Sequence, residues 1–214
     1  MKDSIPANNL LHTFPEGDVA RSLQIPAPSL ELDFRMSIKM NPRVSVGQSI
    51  WGQRDWVTFI GGQWAGRWGK GVILVRDAPI FLSTPASRKD FLCLPSGQLL
   101  TMSQPGGQDS QIVTKESTTS LRASYMLQTS DEPPAYIIVK TSGWLTGAKD
   151  VLDKVNDPNA ADAINPNTYK YRVNLSMETG DERYAFLNTL MWIGSGCRRG
   201  HEGWLSLLNS RIIA

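Results

Sequence analysis

The sequence has only two cysteines and two histidines, and these scarcities exclude several kinds of site. Cys93 and Cys197 are far apart in the chain, and one disulfide is a weak framework for a secreted domain, so we expect two free thiols. Cys197 and His201 are four positions apart, but neither they nor His12 provide the paired spacing that zinc sites use. We therefore expect no metal ion.

An excess of charge is also lacking, because 22 Lys and Arg residues face 20 Asp and Glu residues and leave a net charge of +2. The densest basic cluster is the pair Arg198 and Arg199, which we interpret as a solvated turn. Nucleic-acid binding normally requires a clustered basic surface. We expect no nucleic-acid partner.

Long apolar runs are absent as well. The first residues, MKDSIPANNLLHTF, contain no apolar run of the roughly 7–15 residues found in a signal peptide. No later segment approaches the roughly 18 apolar residues that a membrane span needs. The expectation is a soluble, cytoplasmic protein with no membrane partner.

The common phosphate and nucleophile motifs do not occur. The chain has no Walker-type loop and no Gly-x-Ser-x-Gly elbow. The stretch 194–200 resembles a dinucleotide loop, but its third glycine comes one position late, and we interpret it as a hairpin turn. If the protein is an enzyme, it works without a cofactor, through carboxylates, phenols and amides.

The chain does contain segments with the alternation of apolar and polar residues that is typical of β-strands. Residues 30–40 and 169–177 alternate apolar and polar positions, with turn signals in between, and 214 residues suit one generous domain. Helix is favoured only over 149–155 and, briefly, 159–164. We predict a mainly β fold, a single antiparallel β-barrel with one or two short helices. An N-terminal arm covers 1–30, the barrel covers 31–214, and 76–104 is an inserted excursion or lid.

A segment rich in glycine and tryptophan follows the first strand. Gly61 and Gly62 predict a tight bend, and beyond it Trp64 and Trp68 fall on the same face of the chain, so that the two indoles lie side by side. The pair either lines a cavity or fills the core. Seven tryptophans are also compatible with a subunit interface, so a homo-oligomer is one expectation.

The most informative stretch runs from Glu178 to Asn188. Thr179 and Glu182 have the spacing of a capping box, which predicts a short helix, and Tyr184, Leu187 and Met191 predict its inward stripe.

This stretch resembles the C-terminal signature of a family of small bacterial and fungal β-barrel proteins catalogued as a domain of unknown function. The resemblance spans 32–212 and rests on Glu178-Thr179-Gly180, Tyr184, Leu187-Asn188, Trp192-Ile193-Gly194, Ile60-Gly61-Gly62, Pro105-Gly106-Gly107 with Asp109 and Gln111, and Tyr125 with Thr129 and Asp131. It implies a barrel. For the fungal branch it also implies cofactor-free cyclases of natural-product pathways, which add a hydroxyl across an alkene (hydroalkoxylation).

An isomerase of this kind needs an acid to protonate the alkene and aromatic rings to face the resulting cation. The candidate acids are Glu178 and Asp109; the alternatives are that Glu178 satisfies backbone groups at the helix start and that Asp109 is a turn carboxylate. The candidate substrate-binding residues are Trp64, Trp68, Tyr125, Tyr184 and Asn188. The alternative for Trp64, Trp68 and Tyr184 is a place in the core, and the alternative for Asn188 is a cap at the C-terminus of the helix.

The expected partner is a small prenylated aromatic or polyketide-derived substrate. The alternative function is a non-catalytic barrel that binds or carries an apolar metabolite, because small barrels hold one ligand without needing an acid.

Overall fold

The computed structural model describes residues 14–22, 27–79, 101–104, 106–200 and 203–213. The chain divides into two compact units, Met1–Ser29 with Ile213–Ala214, and Leu30–Ile212. In the first unit, helix α1 spans Val19–Ser22. His12, Cys93, His201 and most of the expected excursion 76–104 lie outside the described residues, and the domain boundaries stay a prediction.

The elements that follow α1 are mostly β-strands. They are β1 (Ser29–Met40), β2 (Val44–Ser49), β3 (Gly52–Gly66), β4 (Gly69–Ile73), β5 (Arg76–Pro79), β6 (Thr101–Gln104), β7 (Gly107–Val113), β8 (Thr119–Thr129), β9 (Tyr136–Gly147), α2 (Lys149–Asn156), β10 (Tyr169–Glu178), β11 (Trp192–Arg199) and β12 (Trp204–Ile213), with 3₁₀ helices at Ala161–Ala163, Pro166–Thr168 and Glu182–Thr189. Among the described residues, no helix has the length and apolar character to cross a membrane.

The main sheet closes on itself. Its order is β1-β12-β11-β10-β9-β8-β4-β3-β2, and β1 also pairs with β3. Strands β4 and β7 both lie between β3 and β8, and β2 pairs with the start of β3 while β1 pairs with its end. The result is a closed antiparallel barrel of eight strand positions, which confirms the predicted fold. Strands β5 and β6 form a separate two-stranded sheet.

Alternation along the strands fills the barrel. In β10 every second residue is buried, from Tyr169 to Met177, as the sequence pattern predicts. In β1 the buried apolar positions are Phe34, Met36 and Ile38, next to the buried carboxylate of Asp33, whereas Leu30 and Leu32 are exposed. A space at the middle of the barrel, among the described residues, measures about 10 Å³, which is too small for an organic ligand.

The expected tight bend at Gly61 and Gly62 is instead a β-bulge inside β3. Ile38 pairs with Gly62 and Met40 pairs with Phe59, so β3 carries one extra residue at this point. Both glycines have positive φ, at 125° and 147°. Glycine permits this conformation, and the bulge curves β3 so that it can pair with both β7 and β1.

The expected hairpin turn at 194–200 is also placed differently. Residues up to Arg199 belong to strand β11, and the turn to β12 follows at Gly200, whose carbonyl accepts a hydrogen bond from the Gly203 amide at 3.2 Å. Glycine at 194 and 196 had suggested a turn, but both positions face inward, where neighbouring side chains leave little room. A Cβ at Gly196 would lie 2.4 Å from the Tyr171 ring.

Candidate functional site

A pocket of about 350 Å³ opens at one end of the barrel. It lies where the β1–β2 connection, the C-terminal end of α2 and the turn after β11 come together. Its lining residues are Met40, Asn41, Pro42, Arg43, Val57, Gln111, Val155, Asn156, Pro158, Arg198, Arg199, Gly200 and Gly203. We call this the pocket end of the barrel. Its volume is near the lower limit of the roughly 300–1,000 Å³ typical of small-molecule sites.

Arg198 lies in this pocket. Its Nη1 donates a hydrogen bond of 2.6 Å to Asn156 Oδ1 at the end of α2, and its Nη2 donates one of 3.0 Å to Gln111 Oε1 on β7. Arg198 therefore connects β11, β7 and α2.

A second guanidinium lies beside the first. Arg43 donates to Asp55 Oδ2 at 3.1 Å and to the Asn156 carbonyl at 2.9 Å. Gln53 also donates to Asp55, at 3.0 Å to Oδ1. Both arginines thus reach Asn156, but only Arg43 is paired directly with a carboxylate.

Asp109 lies one side chain deeper than the pocket lining. Gln111 Nε2 donates a hydrogen bond of 2.6 Å to Asp109 Oδ2, and the Arg122 backbone amide donates one of 3.1 Å to Oδ1. Asp109 is 3% exposed. Asp109 and Gln111 face inward because β7 alternates, which places two polar side chains inside an otherwise apolar barrel.

The electrostatics of this group follow from burial. Desolvation raises the pKa of Asp109, and the hydrogen bond from Gln111 and the charge of Arg198 only partly oppose it. Burial also lowers the pKa of Arg198. Two phenols nearby are affected in the same way: burial raises the pKa of Tyr171, and it raises the pKa of Tyr169 to about 12. The groups behind the pocket therefore include one carboxyl group and two phenols whose pKa values are raised by burial.

Tyr125, a predicted substrate-binding residue, lies deeper in the barrel. It lines the same small central space as Asp109 and Tyr171, and its hydroxyl donates to Met36 Sδ at 3.2 Å. Burial raises its pKa. The predicted residues Asp109 and Tyr125 are thus brought together around this space, apart from the other predicted residues.

Glu178, the other predicted acid, lies on the outer face of β10. Its side chain is 69% exposed, and its Oε2 lies 3.6 Å from Lys140 Nζ. It is not at the helix start either, because the N-cap of the 3₁₀ helix is Asp181, whose side chain accepts from the Arg183 amide at 3.0 Å. The capping box therefore does not form as the spacing suggested.

Trp64 and Trp68 form a stack at the opposite end of the barrel, which we call the tryptophan end. Their ring centroids are 4.4 Å apart, so the two indoles lie side by side as predicted, but Trp68 is in the turn after β3 and does not share a strand face with Trp64. Asp33 Oδ2 accepts hydrogen bonds from Trp68 Nε1 at 3.2 Å and from Trp192 Nε1 at 2.7 Å. Trp64 is 2% exposed and belongs to the hydrophobic core.

Tyr184 and Asn188 also belong to the tryptophan end. Tyr184 packs edge-on against Trp68, and its hydroxyl donates to Asp131 Oδ2 at 2.5 Å. Asn188 exchanges two hydrogen bonds with the backbone of Thr179, at 2.8 and 3.0 Å. Both side chains are therefore engaged in holding the 3₁₀ helix in place.

The predicted inward stripe is correct at two of its three positions. Tyr184 and Leu187 are buried, whereas Met191 is 60% exposed. The helix is of the 3₁₀ type, with three residues per turn, so residue 190 takes the next inward position.

A further depression of about 420 Å³ lies on the outer surface between Trp51 and Trp144. Its described lining contains no carboxylate. Over the part of the chain that the structure describes, no group of three or more His, Cys, Asp or Glu side chains could hold a metal ion. The pocket end, with its link to a buried acid, is the better candidate site.

Gln111 and Arg198 belong to this site, although the sequence analysis assigned neither to it and the solvated turn expected at Arg198 is wrong, because Arg198 lies in β11 and its side chain bonds to Gln111 and Asn156. The sequence held one signal for Arg198: Trp192, Gly194, Gly196 and Arg198 continue a two-residue alternation that makes Arg198 inward-facing. Because Gly194 and Gly196 were interpreted as part of a turn, this alternation was not used to assign Arg198.

Comparisons with known proteins support the fold. The model of a family described as "protein of unknown function (DUF3237)" matches residues 28–78 and 96–210. No curated protein matches the chain. The residues between the two matched segments lie within the expected excursion.

Solved structures of similar proteins come from bacteria and a fungus. A conserved protein of unknown function from Rhodopseudomonas palustris has 18% identity and a TM-score of 0.67, over 88% of this chain and 100% of that one. A β-barrel-like protein from Acinetobacter baumannii has 22% identity and a TM-score of 0.63, over 89% and 99%. An enzyme from Penicillium herquei has 18% identity and a TM-score of 0.53, over 88% and 98%. At these identities the likeness concerns the fold.

Proposed function

This chain belongs to the DUF3237 family, and from that premise we propose that it is a cofactor-free cyclase. The proposed reaction is intramolecular hydroalkoxylation, the addition of a hydroxyl to an alkene within one prenylated aromatic or polyketide-derived molecule of secondary metabolism. The proposed partner is that small-molecule substrate, in the cytoplasm.

The observation that carries the proposal is the buried carboxyl of Asp109, one side chain behind the pocket. An acid that protonates an alkene must keep its proton near neutral pH, and burial raises the pKa of Asp109 in that direction. Glu178 lies exposed beside Lys140, where water surrounds it. The geometry therefore favours Asp109 over Glu178 as the acid.

The reaction balances without an oxidant or a cofactor. Asp109 gives its proton to one alkene carbon, which leaves a tertiary cation on the other. A hydroxyl oxygen of the same substrate forms the C–O bond, and the hydroxyl proton returns to the Asp109 carboxylate. The product is an isomer of the substrate.

The proposal places one requirement on the site. Gln111 lies between the pocket and Asp109, so its side chain must swing aside before an alkene can reach the carboxyl. Shortening residue 111 should then open that path instead of blocking it.

The experiment incubates the protein with prenylated phenols and searches for products of unchanged mass by liquid chromatography and mass spectrometry. We expect Asp109→Asn to abolish product formation and Gln111→Ala to retain it. Glu178→Gln serves as the matched control, because it removes a carboxylate that lies outside the barrel. Full activity in a folded Asp109→Asn variant would disprove the assignment.

A second candidate function is a carrier of an apolar metabolite, and one observation favours it. Asp109 does not line the pocket, so a ligand can occupy the pocket without meeting the acid. In the same incubation, a carrier would retain the prenylated phenol unchanged after gel filtration, with no isomer at any time point.

The comparison with the fungal relative supports an enzymatic function. The protein from Penicillium herquei is described as an enzyme. The two bacterial relatives have no stated activity.

A further inference from the structure

We infer that the pocket recognises an organic anion: an apolar body whose ionised oxygen group, a carboxylate or a phenolate, is bound by the guanidinium of Arg198. This inference names the substrate class of the pocket and rests on the proposed function of that pocket.

The first argument is the hydrogen bonding of Arg198. A guanidinium has five N–H donors. Within the described part of the chain, the side chain of Arg198 donates to two amide oxygens, Asn156 Oδ1 and Gln111 Oε1, and forms no ion pair. Donors thus remain for a ligand, and a carboxylate or phenolate oxygen is the acceptor with which a guanidinium forms its strongest hydrogen bonds.

The second argument is the charge balance at the pocket end. Arg43 is neutralised by direct contact with Asp55 at 3.1 Å. The nearest carboxyl to Arg198 along the hydrogen-bond chain is Asp109, on the far side of Gln111. When Asp109 is protonated, the charges of Arg43 and Asp55 cancel, and the positive charge of Arg198 has no negative partner among these groups. A bound anion would supply the missing negative charge.

The third argument is the shape of the site. The pocket has about 350 Å³ and apolar side chains from Met40, Val57 and Val155 along its walls. Such a space accommodates a fused aromatic ring system, and the partly buried charge at Arg198 fixes where its polar group must lie. A fully polar anion such as phosphate would leave the apolar walls unused.

The test uses 2-naphthoate and its neutral counterpart 2-naphthamide, with 4-nitrophenolate and neutral 4-nitroanisole as the phenolate arm. Calorimetry measures the affinity of each for the wild-type protein, Arg198→Gln and Arg172→Gln. Arg172 is the matched control because it lies exposed on the outer face of β10.

In the wild type we expect at least one anion to bind about 10-fold to 100-fold more tightly than its neutral counterpart. Arg198→Gln should remove this preference, whereas Arg172→Gln should leave the preference unchanged. A preference for 2-naphthoate identifies a carboxylate as the ligand's ionised group, and a preference for 4-nitrophenolate identifies a phenolate. Equal affinities in the wild type, or a preference that survives Arg198→Gln, would overturn the inference.

If Arg198→Gln does not fold, as judged by circular dichroism, Arg198→Lys decides. Lysine keeps the charge but lacks the planar fork. The preference should then fall severalfold, and an undiminished preference would overturn the inference. Neither 2-naphthoate nor 4-nitrophenolate can cyclise, so absence of an anion preference in the wild-type protein overturns this inference alone. Absence of isomerised product, with the preference intact, overturns the cyclase alone.

Discussion

The side-chain amide of Gln111 is held in one orientation by Arg198. Arg198 Nη2 donates to Gln111 Oε1 at 3.0 Å, and a guanidinium has no acceptor, so the oxygen of the amide must face it. The amide nitrogen is then directed at Asp109, to which it donates at 2.6 Å. Arg198 therefore governs a hydrogen bond to a carboxyl that it does not touch, and that hydrogen bond favours the ionised form of Asp109.

The pH dependence of stability should reveal Asp109. Burial raises its pKa above the ordinary value of 3.8, so the folded protein binds this proton more tightly than the unfolded chain. The protonated carboxyl stabilises the folded protein fully below the pKa of the unfolded chain, and this contribution is lost as the pH rises through the pKa of the folded state. The loss amounts to about 1.4 kcal/mol for each pKa unit by which the folded and unfolded states differ. Urea denaturation from pH 4 to 8 measures this loss.

We expect the loss in the wild type and in Glu178→Gln but not in Asp109→Asn. Asparagine offers only one acceptor to the two donors from Gln111 and Arg122, so the variant will be less stable at every pH, and only the slope is diagnostic. Carboxylates whose pKa is lowered, such as Asp131, are common to all three proteins and cancel in the comparison. Parallel curves for Asp109→Asn and the wild type would contradict this account.

Trp64→Ala should lower the free energy of unfolding by about 3–5 kcal/mol, because the indole is fully packed in the core. Trp144→Ala, which removes an indole that is 51% exposed, is the control and should have a small effect. Equilibrium denaturation measures both, and 2-naphthoate affinity should be unchanged in either. Weaker ligand binding in Trp64→Ala, with stability preserved, would instead support the role in substrate binding that the sequence suggested.

Gly62→Ala should destabilise the barrel at its closure. A Cβ there would lie 2.2 Å from the Ser37 carbonyl oxygen of the paired strand, and the φ of +147° adds a backbone cost of about 1–3 kcal/mol. Gly180→Ala is the matched control, because its Cβ would meet nothing within 4 Å. A melting temperature equal to that of the control would show that β1 and β3 do not pair this closely.

Asn188→Ala should cost about 1–2 kcal/mol, since it removes two hydrogen bonds to the Thr179 backbone at an exposed site. Asn188→Asp keeps the acceptor and loses the donor, so its effect should be smaller. Ligand affinity should not change in either variant, because Asn188 lies beyond the end of β10 that is opposite to the pocket. A selective loss of ligand binding would return Asn188 to the candidate site.

The candidate site was predictable only in part. Asp109 and Tyr125 were named from resemblance, and both lie inside the barrel. Glu178 occupies an even position of β10, where strict alternation sends every second residue to the outer face, and that outcome was available from the strand pattern itself. Glu178 was nevertheless named as a candidate acid, because the residues around it resemble a family signature.

By itself, the sequence determined what depends on neighbours along the chain: the two-residue alternation that directs Tyr169 to Met177 inward. Only the tertiary structure decided which strand ends meet. Gln111 and Arg198 are 87 positions apart, and they touch because the closed order of the strands brings β7, β11 and the end of α2 to the same end of the barrel. Strand order and register are set by pairing between distant segments, which no local pattern encodes.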